Sequence, residues 1–421
     1  MMQTITKDTS PAEKKHGMPF AIVLIATLLF PPVISVIFLI GRGLKQRRIT
    51  AGLQLLLPFT IATVLIFCSP LWDAIAHYYR YIHWQNHELV NEFSLFSRDW
   101  FYRLELSLPQ FLDRDVPYVY VLFCLYFLIV FLWLLIARRT APETGLIPFL
   151  LIFSATGPFP LLGYTRGALA FTLLLLPAVW KKTSAVLLSA PLAFLVAVNI
   201  HDCTLPIVPA LLLYIVLVLY PGVVTGYTFS AVLLVVVALF WQWSTFFSSV
   251  VSEERLEMYN QVSGRFLHGS DYIYVTLAVL CVVFFLITVF RHKDRIENKY
   301  LLAIFITTAM FFLASLCVGQ YTVRERFQFM ALISGSLVTA PVLGKTLSPE
   351  GKNMFRTVMC VTFAMQLLIV AKPAFINPLF YDQEGCRKIV LRMFYLPTGL
   401  LVSEASSLGF GNELFETSTW D

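Results

Sequence analysis

Long uninterrupted apolar runs, of which AVLLVVVALF at 231–240 is the purest, constrain this chain more than any other feature. Such a run has no side to offer water, and in lipid its backbone amides must be paired internally. Only helical bundles and closed barrels meet that demand, and barrel strands alternate apolar with polar residues. The runs therefore predict an all-α, polytopic integral membrane helical bundle. Composition agrees: 58% of the 421 residues are hydrophobic and 13% charged, where soluble domains carry roughly a quarter charged residues.

Runs long enough for one bilayer crossing fall at 18–41, 51–69, 117–136, 145–163, 167–180, 184–200, 204–220, 227–247, 271–290, 300–319, 327–344 and 354–372. They make about 12 transmembrane helices in a single transmembrane domain spanning 1–421. The fifth is short, and PFP at 158–160 followed by GYTRG is expected to break the fourth helix or turn it back into the bundle. No small-residue cleavage site follows the first run, which is expected to stay as an anchor.

Lysine and arginine in short loops set orientation. Arg42, Lys45, Arg47 and Arg48 share a side with Arg138 and Arg139, Lys181 and Lys182, the 291–299 loop and Lys345, Lys352 and Arg356. That side is assigned to the cytoplasm. One conflict follows: twelve crossings leave an N-terminal tail containing Lys7, Lys14 and Lys15 on the opposite side. The non-cytoplasmic side then carries the interfacial segment 70–116, the turns at Arg166 and His201, a loop at 248–270, the turn 320–326 and a C-terminal tail at 373–421. The net charge of +6 is thus an orientation signal, and no basic face with interleaved aromatics supports nucleic-acid binding. The seven cysteines show no metal-ligand spacing and no disulfide framework.

Segment 70–116 reads as amphipathic helices lying at the interface after the second span, with His77, Arg80, His83, His87, Arg98, Asp99 and Arg103 as a solvated cover. Asp73 stands apart because it ends a span and is followed by Tyr78 and Tyr81, a set suited to sugar hydroxyls and sugar rings. His201 ends another span and precedes Asp202, which makes it a candidate general base or hydrogen-bond donor to phosphate. Arg166, Arg265, Arg324 and Arg326 map to the same side, and guanidinium forks fit phosphate oxygens, so these arginines are candidates for a diphosphate. Histidines 83 and 87 lack a companion carboxylate or cysteine motif, so no metal is assigned.

In order and spacing, Asp73 with its tyrosines, Arg166-Gly-Ala-Leu-Ala, the Lys181–Lys182 pair, His201 and the Arg324/Arg326 cluster resemble the EpsG/Wzy-like polysaccharide polymerases of bacteria, over roughly 70–330. The family often carries glutamine where this chain has Gly167. The resemblance implies an inner-membrane glycosyltransferase with its active site facing the periplasm, polymerising undecaprenyl-diphosphate-linked repeat units into O-antigen, capsule or exopolysaccharide. It implies no cofactor or metal, a lipid environment and a chain-length regulator as partner. The arginines would hold the departing diphosphate, His201 or Asp73 would take the acceptor proton, and Tyr78 and Tyr81 would stack on sugars. An O-antigen ligase, or another lipid-linked glycosyltransferase, and a lipid-linked oligosaccharide flippase are the alternatives.

Overall fold

The computed structural model describes residues 19–46, 48–68, 77–81, 100–112, 116–140, 142–157, 159–180, 182–201, 326–337, 348–371 and 383–408, with the single residues 204, 219 and 308. Among them every regular element is helical. The spans expected at 227–247 and 271–290 and the loop at 248–270 lie outside the described residues, as do nearly all of 204–220 and 300–319.

Two antiparallel helices form the centre. Thr50 caps the first turn of Ala51–Ile66 by accepting from the Leu53 amide at 3.3 Å, and every residue from Thr60 to Ile66 is buried. Against it lies Tyr118–Thr140. Near one end Arg138 donates to Gln54 Oε1 at 2.8 Å, and further along Phe59 meets Phe123 edge-on at 5.5 Å. Gln54, Arg138 and Arg139 therefore mark one end of the bundle, and Cys68 and Tyr118 the other. The second pair, Thr165–Leu175 and Thr183–Ile200, also runs antiparallel, since His201 returns to Phe171 and Gly167. Lys182 lies at the end of Arg138. A buried bond from Trp133 Nε1 to Thr172 Oγ1, 2.8 Å, joins the two pairs.

The apolar run 18–41 is not one crossing. Helix Phe20–Leu29 ends before Pro31, and Pro32–Gln46 starts afresh; proline supplies no amide and disfavours helical backbone before it. The two pieces span about 15 and 22 Å, each short of a roughly 30 Å hydrocarbon core. Both outer ends come to the same place: a methyl group at Gly52 would lie 2.8 Å from the Phe20 ring, and one at Gly43 would lie 2.7 Å from Leu53. The run is a helical hairpin, so the chain enters it at the same end of the bundle as its basic loop. At the hairpin's apex the Phe30 carbonyl accepts from both the amide and the hydroxyl of Thr398, at 3.0 and 2.6 Å.

The fourth run also divides. Ile147–Thr156 stops at Gly157, whose φ of 62° requires glycine's freedom, and the short Phe159–Leu162 follows. Thr165–Leu175 begins earlier than expected and continues through the 3-10 turn Leu176–Val179, where Pro177 removes a helical amide. In the C-terminal region, Pro349–Ala371 packs on Ile147–Thr156. Helices Gln383–Tyr395, Thr398–Ser403 and Ala405–Leu408 lie against the hairpin and the central pair.

Two described helices, Tyr118–Arg139 and Thr183–Ile200, are long and apolar enough to cross a membrane. Leu188 and Leu192 of the second are 79% and 60% exposed, which suits an apolar surround better than water. Together these features point to membrane association.

The Trp133–Thr172 bond gives a stability test. Thr172→Val keeps the shape but leaves a buried indole N–H without its acceptor, at a cost of about 1–3 kcal/mol. In thermal unfolding of detergent-solubilised protein, Thr172→Val is expected to melt lower than wild type. Adding Trp133→Phe to it should cost less than the two single changes summed, because no donor then remains unpaired.

Candidate functional site

Segment 100–112 folds as an amphipathic helix, Trp100–Leu112, but its polar residues do not all face water. Positions three and four apart share a helix face, and Phe101, Tyr102, Glu105 and Leu106 are buried while Leu104, Ser107 and Phe111 are exposed. The helix thereby carries a tyrosine and a carboxyl into the Tyr118 end of the bundle. Against it sits the helical stretch 77–81, whose His77 ring lies 4.9 Å from Phe101 and 5.5 Å from Tyr102. His77 is 4% exposed. The reading of His77 as part of a solvated cover is corrected accordingly, since it lies in the core; Arg80 is exposed, as that reading expected, with its guanidinium turned onto Tyr102.

Three arginines meet around this pair. Arg80 donates to the Tyr102 hydroxyl, and its Cζ lies 5.2 Å from that ring's centre. Arg166, at the second position of Thr165–Leu175, points Nη1 at the same hydroxyl, 3.5 Å away. Its Nε is buried without a hydrogen-bond partner. Arg326 opens the helical stretch 326–337 and lies over the Tyr164 ring, 5.3 Å from its centre. All three are close enough to act on one imidazole. Burial first, then the fields of Arg166, Arg80 and Arg326, hold His77 well below the ordinary histidine range.

Glu105 is the counterweight. It is 1% exposed; Oε1 accepts from the Tyr118 hydroxyl at 2.8 Å, while Oε2 is buried without a partner. Burial pushes its carboxyl up to about 8, against the opposing pull of the Tyr118 bond, Arg166 and Arg80.

His201 sits at the same end. As the residue ending Thr183–Ile200, it donates its amide to the Ala197 carbonyl at 2.8 Å, and its own carbonyl accepts from Thr204 at 2.7 and 3.1 Å. The ring is buried, near-parallel to Phe171 at 6.3 Å. A side chain at 167 would meet it, since a methyl there would lie 3.5 Å from His201 Cδ2. The imidazole thus packs against the helix turn that carries Arg166.

Tyr78 and Tyr81 do not offer ring faces to a sugar. They are 0% and 2% exposed, packed on Tyr118 at 5.7 and 5.1 Å, and the Tyr81 hydroxyl donates to the Val116 carbonyl at 2.6 Å. They brace the start of Tyr118–Thr140, which in turn holds Glu105. Asp73, Arg265 and Arg324 lie outside the described residues. The structure thus brings Arg166, Arg326 and His201 to one end, and adds Arg80, Tyr102, Glu105 and His77. The i, i+3 spacings His77/Arg80 and Tyr102/Glu105 were the available signal. Among the described residues no group of three histidines, cysteines or acidic residues is placed to hold a metal ion.

What the fold and site define is a helical bundle with a polybasic, aromatic-lined cluster at one end. The chain matches no family model, no curated protein and no solved structure.

The two buried titrating groups make opposite demands on stability. His77 is held below its unfolded value, so its contribution is present above about pH 6.5 and is lost as pH falls. Glu105 is held above its unfolded value, so its contribution is present below about pH 4.5 and is lost as pH rises through about 8. Melting temperatures measured from pH 5 to 8.5 should show the wild-type advantage over His77→Asn shrinking toward acid. The advantage over Glu105→Gln should shrink toward alkali.

Proposed function

We propose that this chain is a polytopic membrane glycosyltransferase that extends a lipid-linked glycan at the non-cytoplasmic face of a bacterial inner membrane. The observation that carries the proposal is the convergence of Arg80 and Arg166 on one tyrosine hydroxyl, with Arg326 acting on the same neighbouring imidazole. Guanidiniums repel one another, and gathering them at the end of an apolar bundle is stabilised by an anion with several oxygens. An undecaprenyl diphosphate supplies such an anion on a chain that lipid-facing helices accommodate.

The chemistry follows from charge. As the bond between the donor sugar's anomeric carbon and the diphosphate breaks, the leaving oxygen gains negative charge, and preorganised guanidiniums stabilise it. The acceptor hydroxyl must lose its proton as it attacks. His201 is the proposed base, because it stands beside Gly167 at the foot of Arg166, and Asp73 is proposed to orient the acceptor. Tyr102 and Tyr164 hold the arginines in place. Metal assistance is not invoked because the diphosphate already activates the donor. Basic loops at the Arg138 end face the cytoplasm, and the hairpin's entry lies with them.

In purified protein supplied with lipid-linked repeat units, Arg166→Ala should lower chain extension by at least about 100-fold while leaving the protein inserted. Arg166→Lys should recover part of it, lacking the fork. Single-repeat products in cells lacking the protein support polymerisation. Accumulated lipid-linked polymer beside unmodified core would transfer the reading to ligation, and cytoplasmic accumulation would transfer it to transport. Normal extension by Arg166→Ala would sink the diphosphate site.

Topology is tested independently by single cysteines in an otherwise cysteine-free protein. Positions 19 and 46 should label from the cytoplasmic side, and position 116 from the other. Labelling of 19 and 46 from opposite sides would contradict the hairpin.

A further inference from the structure

Glu105 has no part in the chemistry above, yet it is the buried acid nearest the arginine cluster among the described residues. Tyr102, which both Arg80 and Arg166 approach, stands three residues before it on the same helix face. Its Oε1 is fixed by Tyr118, and its Oε2 is buried with no hydrogen-bond partner. A carboxylate so placed competes with a phosphate for the arginines' field. We propose that Glu105 is the proton-linked counter-charge of the arginine site: in alkaline solution it is ionised and balances Arg166 and Arg80 in the empty site, and it takes up one proton when a diphosphate binds there. This rests on the diphosphate reading of the site.

Among the described residues, the surroundings leave Glu105 as the group that responds in the working range. Around it stand Tyr118, with Tyr81 and Tyr126 beside that phenol, then His77 and Arg80 from 77–81, Arg166 from Thr165–Leu175, and Arg326 by way of His77. Tyr102 and Arg103 lie on its own helix. Arginines stay charged across that range. His77 is held neutral by burial and by the three guanidiniums. Glu105, pushed up to about 8, sits inside it.

The sign follows from linkage. A bound diphosphate cancels the arginines' attraction for the carboxylate and adds repulsion, so the bound state favours the protonated acid. Below about pH 7 the empty site already carries that proton, and affinity should not change with pH. Above about pH 8 each binding event takes a proton from solution, and affinity should fall by up to about tenfold per pH unit.

The experiment measures binding of a prenyl diphosphate diester to the full chain in nanodiscs between pH 6 and 9.5. A diester carries the same charge throughout that range, so the ligand contributes no titration. Wild type should show the fall above pH 8, with about one proton taken up per diester, read calorimetrically in two buffers of different ionisation enthalpy. Glu105→Gln should bind with little dependence on pH and exceed wild type about tenfold at pH 9. Equal pH dependence in both proteins, or a flat wild-type profile with no proton uptake, would overturn the linkage while leaving the diphosphate site standing. No binding at pH 7 would overturn both. The wild-type profile alone decides the matter if Glu105→Gln fails to fold.

Discussion

Charge held at the end of an apolar bundle is the constraint on which the rest of the structure depends. Among the described residues, the guanidiniums of Arg80, Arg166 and Arg326, the Glu105 carboxyl and the imidazoles of His77 and His201 lie at the end where Tyr118–Thr140 begins, all but Arg80 buried or half-buried. Desolvating such groups is costly unless fixed dipoles and opposite charges replace water. The bundle supplies these from its helix ends: Tyr102 to two arginines, the Tyr164 ring to the third, and the Tyr118 hydroxyl to Glu105. Packing of Tyr78 and Tyr81 on Tyr118 then becomes intelligible as bracing for that last bond.

The remainder of the bundle keeps this end distinct from the other. Antiparallel pairing sends Arg138, Arg139 and Lys182 to one end and Arg166, His201 and Tyr118 to the opposite one. The hairpin adds apolar surface to the bundle, and Thr398 closes its apex by bonding the Phe30 carbonyl that the helix end leaves open. The C-terminal region is consequently tied to the same bundle, with the Tyr120 hydroxyl donating to the Ser403 carbonyl at 3.0 Å.

Helix content was legible in the sequence because apolar runs such as that at 118–136 leave no alternative to a helix. The co-location of Arg166, Arg326 and His201 was legible too, since each ends a span and the spans alternate in direction. Two things were not. The run at 18–41 has the hydropathy of a crossing, and only the Pro31–Pro32 pair distinguishes it from the hairpin it forms. Segment 70–116 mixes aromatic and charged residues in a pattern that reads alike whether the charges face water or a buried cluster. Choosing between those needs the partners, and Tyr102, Glu105, His77 and Arg166 are separated by dozens of residues. Tyr78 and Tyr81 suffered the converse error, because aromatic spacing does not say whether a ring face is free.

The central claim is that the arginine cluster receives a lipid diphosphate. Its most direct test is an experimental structure of the full chain in nanodiscs with an undecaprenyl-diphosphate-linked sugar bound. The account predicts the diphosphate within hydrogen-bond distance of Arg166 and of at least one of Arg80 and Arg326, with the sugar toward His201. A diphosphate seated instead at the opposite end, beside Arg138 and Lys182, would contradict it.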